Sequence, residues 1–141
     1  MKLEAYIDGG SRGNPGEAGL GVVIPGVVRV AEYLGYGTNN FAEYSALITA
    51  VRLAVFLRCD ELHVFADSEL VVRQVAGDYQ VKNENIRILF DAANRWIRLI
   101  PTFSISHVRR EENAEADKLA NFAMDKHRDA VTWELPAKRL L

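Results

Sequence analysis

The chain reads as an α/β protein: a five-stranded mixed sheet, three antiparallel strands then two parallel ones, flanked by helices. Two observations predict this. Apolar residues alternate with period two through the first third, then switch to helical spacing at Phe41. From there strand and helix patterns take turns, giving the order β-β-β-α-β-α-α-β-α. A meander followed by strand–helix units makes a mixed sheet, and right-handed crossovers set the later strands parallel to the first.

Residues 2–8 place Leu3, Ala5 and Ile7 on one face of the first strand. Residues 20–24 form a largely β-branched run, and Pro25-Gly26 turns it into a third strand over 27–35. Phe41, Tyr44, Leu47, Ile48, Val51, Ala54 and Val55 make the stripe of a long helix. A short, mostly buried strand follows over 61–66 and ends at Asp67. Residues 68–76 read as a short helix closed by Gly77. Ile86, Leu89, Phe90, Ala93, Ile97 and Ile100 mark an amphipathic helix that Pro101 stops. Residues 102–108 alternate as the fifth strand. Ala116, Leu119, Ala120, Ala123 and Met124 line one face of a last helix. Residues 1–128 thus form one domain, and 129–141, without a clear period, a C-terminal tail.

Length and composition narrow the function. At 141 residues the chain can bury a real core. No apolar run approaches ~18 residues, so no membrane span is expected. The N-terminus carries an acid and enters a strand pattern at once, unlike a signal peptide. The single cysteine, Cys59, fits a reducing cytoplasm, and a monomer is expected there. A net charge of -2 means that any phosphate-binding surface must be local rather than spread over the molecule.

The acids carry the chemistry. Asp8 and Asp67 each end a predicted strand, the edge where open α/β sheets bind ligands. Glu43 falls in the first turn of the first long helix and Asp117 in the first turn of the last. Each has a capping explanation: Asn40-Phe-Ala-Glu43 fits a capping box, Asp67 suits a helix cap, and Asp117 suits a helix N-terminus. Yet Glu43 and Asp117 border apolar stripes, and a buried charge needs a partner. No lysine or arginine is in register to pair with all four. A hard divalent cation, Mg²⁺ or Mn²⁺, satisfies an all-oxygen set.

Four stretches, YIDGGSRGNPGEAGLGVVI, TNNFAEYSALITAV, VFADSELVVRQV and HVRREENAEADKLAN, together resemble type 1 ribonuclease H over residues 1–127. The resemblance implies hydrolysis of the RNA strand of RNA/DNA hybrids to 5′-phosphate and 3′-hydroxyl products. It places two Mg²⁺ or Mn²⁺ ions on Asp8, Glu43, Asp67 and Asp117. Asn14, Asn39 and Asn40 are implied contacts to nucleic acid, Thr38 a phosphate contact, and Gly9, Ser11 and Glu69 further substrate-binding positions. The glycines after Asp8 are expected to let the substrate backbone come close. A non-catalytic hybrid-binding module, or a nuclease acting on double-stranded RNA, is the alternative.

The sequence departs from better-known members in two places. Many carry a histidine in a glycine-rich loop before the last aspartate; here the loop reads Arg-Arg-Glu-Glu-Asn, and Arg110 is the cation offered for the scissile phosphate, with His107 the rival. A basic protrusion is also absent, since Lys82-Asn-Glu-Asn leads directly into the long helix. Rival motifs are weak. The glycines from Gly16 to Gly21 precede a strand rather than a helix, and no Gly-Lys-Ser/Thr occurs. His63 and His127 read as structural, Trp96 and Trp133 as packing residues.

Overall fold

A computed structural model describes residues 1–134. In chain order the elements are β1 (Lys2–Arg12), β2 (Gly16–Ile24), β3 (Val28–Gly37), α1 (Asn39–Phe56), β4 (Glu61–Ala66), α2 (Glu69–Ala76), α3 (Glu84–Ile97), β5 (Thr102–His107), a 3₁₀ turn (Arg110–Asn113), α4 (Ala114–Lys126) and β6 (Ala130–Trp133). They build one sheet in the order β5-β4-β1-β2-β3-β6. β1, β2 and β3 are antiparallel neighbours, while β4 runs parallel to β1 and β5 parallel to β4, as the element order predicts.

The sheet has six strands rather than five. Its extra strand comes from the predicted tail, where Ala130–Trp133 pairs antiparallel with Val28 to Ala31. All four β6 residues are exposed, so no apolar alternation marked them. Backbone ladder bonds to the open edge of β3 hold this strand, and such bonds leave little trace in side-chain pattern. Residues 135–141 of the expected tail lie outside the described residues.

Two boundaries move, and both matter for the site. β1 does not stop at Asp8 but continues to Arg12, because Gly9 through Arg12 pair with β2 as far as Arg12↔Glu17. The true turn is short and centres on Gly13, at φ 90°. α1 begins earlier than its apolar stripe, and Thr38 is its N-cap, accepting a 3.1 Å bond from the Phe41 N–H. The Asn40–Glu43 capping box is therefore not formed, and Glu43 stands past the first turn. Likewise Ser68, not Asp67, caps α2, while Gly77 closes it in the left-handed conformation as expected.

The core lies between the sheet and α1. Ala5, Ile7, Leu20, Val22 and Val64 from the strands meet Tyr44, Leu47, Ala50, Val51 and Ala54 of the helix, all buried. Each fully buried Leu or Val contributes roughly 1.5–3 kcal/mol relative to exposure. Tyr44 donates to Gln74 Oε1 at 2.6 Å, which ties α1 to α2 within this core. α4 covers the opposite face with Ala116, Ala120, Ala123 and Met124. Side chains alternate between faces along a strand, so a Cβ on Gly9 would meet α1 and one on Gly10 would meet Met124 of α4.

Candidate active site

The parallel pairing of β1 with β4 ends at Ile7↔Ala66. Asp8 and Asp67 are the next residues on each strand, so sheet register alone sets them side by side. Asp8 pairs with Gly21 across β2, which turns its side chain toward the α4 face. α4 delivers Asp117 from its first turn, near enough for its carboxyl to raise that of Asp8. α1 delivers Glu43 from the other side. Glu43 Oε2 accepts a 3.0 Å bond from Ser68 Oγ, and its carboxylate faces the charge of Asp67.

Two glycines make this convergence possible. A Cβ on Gly9 would overlap the Ala42 carbonyl and lie 2.6 Å from the Glu43 nitrogen. A Cβ on Gly21 would overlap the Ala116 carbonyl, next to Asp117. Bare backbone at these positions lets α1 and α4 sit directly on the strands. The glycine after Asp8 thus admits a helix of the chain itself, where the sequence suggested room for a substrate backbone.

Packing acids this tightly has an electrostatic cost. Burial pushes the Asp8 carboxyl up to about 8, helped by the charge of Asp67 and by the bond and charge of Asp117. Burial also raises Glu43 to about 7; the Ser68 bond opposes that shift and Asp67 adds to it. Asp67 Oδ2 is buried with no hydrogen-bond partner. The nearest cation, Arg110 Nε, is 3.9 Å from that oxygen, too far for a hydrogen bond, and its side chain is 81% exposed. Arg110 therefore reaches the edge of the cluster without neutralising it.

These residues fit a hard divalent cation. The donors are all oxygens, one of them is buried and unpartnered, and Asp8, Glu43 and Asp67 line a cavity of about 10 Å³, room for roughly one water-sized sphere. Among the described residues no three acid, histidine or cysteine side chains already close into a metal cage.

The folded protein binds the Asp8 and Glu43 protons more tightly than the unfolded chain, whose values are near 3.8 and 4.5. Their stabilising contribution is complete below those unfolded values and is lost as pH rises through about 7 and then 8. The melting temperature in EDTA is accordingly expected to fall between about pH 4 and 8 from these two groups and to level off above that. Mg²⁺ should recover more of it at the alkaline end. A flat EDTA profile would show that these carboxyls are not strained.

The predicted nucleic-acid contacts gather beside the acids. Asn39 Oδ1 accepts from Ser11 N at 2.9 Å and from Ser11 Oγ at 3.0 Å, while Asn14 Oδ1 accepts from Asn39 N at 3.0 Å. Asn14, Thr38 and Asn40 line a groove of about 420 Å³, with Asn83 and Asn85 from the start of α3 opposite. Glu69 is exposed at the start of α2 and lies 3.6 Å from Arg73. His107 ends β5 and is exposed, with Ala66 as its register partner. His63 is structural as expected: its ring nitrogens bond Ser106 Oγ at 2.7 Å and Ser104 Oγ at 2.6 Å.

Some residues at the site were not singled out from sequence: Ser68, Asn121 and Asn113. Asn121 Nδ2 donates 3.2 Å to Asp117 Oδ2, and its i,i+4 spacing on α4 was the available signal. Ser68 follows Asp67 directly and both caps α2 and holds Glu43.

A family described as reverse transcriptase-like matches residues 6–123. Ribonuclease HI of Halobacterium salinarum is 38% identical over 129 residues, covering 88% of this chain. The crystal structure of that archaeon's RNase H1 superposes with a TM-score of 0.86 at 37% identity, covering 89% of this chain and 99% of the other. The chain belongs to the type 1 ribonuclease H family. Another ribonuclease H of this type, LC11-RNase H1 in complex with an RNA/DNA hybrid, matches at a TM-score of 0.83 and 41% identity, over 89% of this chain and 98% of that one. The chain spans 65% of the archaeal relative's length and 36% of a bifunctional protein of Mycobacterium tuberculosis, 39% identical over 131 residues and 89% of this chain. Residues 77–83 alone join α2 to α3.

Proposed function

We propose that the chain is a metal-dependent endoribonuclease that hydrolyses the RNA strand of RNA/DNA hybrids, leaving 5′-phosphate and 3′-hydroxyl ends. One observation carries this reading. Four carboxylates, from β1, α1, α4 and the bend after β4, converge at the end of the parallel strands, with a buried oxygen of Asp67 left unpartnered. A pure binding module gains nothing from negative charge aimed at phosphate. Asp8, Glu43, Asp67 and Asp117 would together hold two Mg²⁺ or Mn²⁺ ions. Bound there, the ions would supply an activated water and offset charge on the leaving oxygen of an in-line displacement.

The rest is done by the chain. Asn14, Thr38, Asn39 and Asn40 hold the hybrid, with small amides and hydroxyls suited to a 2′-hydroxyl. Thr38 accepts from Phe41 N and keeps its own proton for a phosphate oxygen. Gly9, Ser11 and, at the exposed start of α2, Glu69 complete the substrate-binding positions of this reading. Labelled hybrid, RNA duplex, DNA duplex and single strands, each with Mg²⁺, Mn²⁺ or EDTA, test the reading. Cleavage of the hybrid's RNA strand with either ion, and none in EDTA, is expected. Binding without cleavage would make the chain a hybrid-binding module, and faster cleavage of duplex RNA would change its substrate.

A guanidinium is a charge donor of fixed geometry rather than a base, so Arg110 would act on phosphate charge. Arg110→Ala should lower kcat roughly ten-fold with a smaller change in KM, as loss of a transition-state contact does. His107→Ala should cost much less. The reverse ranking, measured by steady-state kinetics on hybrid, would give the proton-handling duty to His107.

A further inference from the structure

We infer that Asn113 is a positioning residue that fixes the spacing of Asp8 and Asp117, and with it the site's grip on divalent ions; this rests on the metal-dependent reading above. Asn113 is 1% exposed and occupies the N-cap position of α4, four residues before Asp117. An asparagine there ordinarily accepts a bond from a first-turn N–H of its own helix. Asn113 makes no such bond. Its Nδ2 instead donates 2.8 Å to the carbonyl of Ile7, 106 positions away. A carbonyl can only accept, so the partner fixes which end of the amide is nitrogen.

Ile7 is the last β1 residue paired with β4, and Asp8 comes next. One buried hydrogen bond therefore ties the start of the helix carrying Asp117 to the backbone carrying Asp8. Those two carboxylates repel each other once ionised, which pushes α4 away from β1, and the other polar ties from the sheet to α4, Arg12 to Asn121 and Asp125 and Arg29 to Glu115, are exposed. The brace opposes that movement.

A second observation concerns the other end of the amide. Asn113 Oδ1 is buried and has no partner. Among the described residues only it and Asp67 Oδ2 are buried side-chain polar atoms without a hydrogen bond, and both lie at this site. Stability alone would favour the helix cap, which satisfies an orphan N–H and spends the amide oxygen usefully. A side chain that gives up its cap and leaves an acceptor unmet is placed for the site.

Calorimetric titration with Mn²⁺ alone, on the native chain and on Asn113→Ala, tests the inference. The variant should bind Mn²⁺ roughly ten-fold or more weakly, the range usual for partners of metal ligands. At limiting Mn²⁺ its kcat should fall while KM for hybrid stays near native, and saturating Mn²⁺ should restore much of the loss. A variant with a lower melting temperature but native Mn²⁺ affinity while folded would overturn the inference, because a purely structural role predicts that pair. If Asn113→Ala does not fold, NMR of the native chain decides. The Asn113 side-chain amide signals should then move on Mg²⁺ titration with the same midpoint as the Asp117 backbone amide, and stationary signals would overturn the inference. A native chain that binds neither ion sinks the metal-dependent reading itself; native binding with an unaffected variant sinks only the role of Asn113.

Discussion

Asp8→Asn should abolish hybrid cleavage while raising the melting temperature of the ion-free protein. Activity and stability part company here because one charge serves the first and harms the second. Asp8 lies at the centre of the cluster, with Asp67 just past the end of the neighbouring strand and Asp117 close enough to raise its carboxyl. Its replacement by a neutral amide of the same shape removes repulsion toward both. That relief matters most above about pH 8, where the native carboxyl ionises. The same change removes the carboxylate best placed to bridge two ions. A loss of at least ~10³-fold in kcat is expected, equivalent to ~4 kcal/mol of transition-state stabilisation. Steady-state rates on labelled hybrid, with thermal melts in EDTA at pH 9, measure both halves. Turnover within ten-fold of native would place the chemistry elsewhere, and a lowered melting point would show that Asp8 supports the fold through bonds its charge makes.

The sequence showed where chemistry sits more readily than how it is held there. Asp8 and Asp67 were legible because strand periodicity and a right-handed crossover determine which strand ends are neighbours. Glu43 was legible as a residue at the border of an apolar stripe, but its position in the helix was not. The stripe begins only at Phe41, and the polar Thr38-Asn39-Asn40 that starts α1 earlier carries no period. β6 was invisible for the opposite reason, being a strand held by backbone bonds with no buried side chain. Ser68 and Asn113 were beyond reach because each acts across the fold, over 25 and 106 positions respectively. No local pattern encodes a partner that far away. Gly9 was read as part of a loop, whereas it lies inside β1 and gives α1 its seat; Gly21 was read inside a strand, but nothing local showed that it seats α4.

Gly21→Ala tests that last point and should have the second-largest effect. The added methyl would overlap the Ala116 carbonyl and come within 2.9 Å of both the Ala120 nitrogen and Leu119 Cβ. Two of those three neighbours are backbone atoms, which cannot rotate aside as a flexible side chain can. α4 must therefore rise from the sheet. Overpacking of this kind costs roughly 1–3 kcal/mol, and a bare helix backbone against a strand puts the cost at the upper end. Catalysis should suffer more than stability, because α4 carries Asp117 and a shift of ~1 Å at a reacting centre can cost ~10²-fold. Gly10→Ala is the control. Its methyl would meet only Met124 Cε at 3.6 Å, Asn39 Oδ1 and Met124 Sδ at 3.9 Å, ordinary contacts with side chains that can adjust. It should melt near native and keep most of its Mn²⁺ affinity. Gly21→Ala, measured the same way, should melt lower and bind Mn²⁺ more weakly even where fully folded. Should both variants match the native chain, α4 is not clamped to β2 by this contact, and the placement of Asp117 must depend on the start of the helix rather than its seat on the sheet.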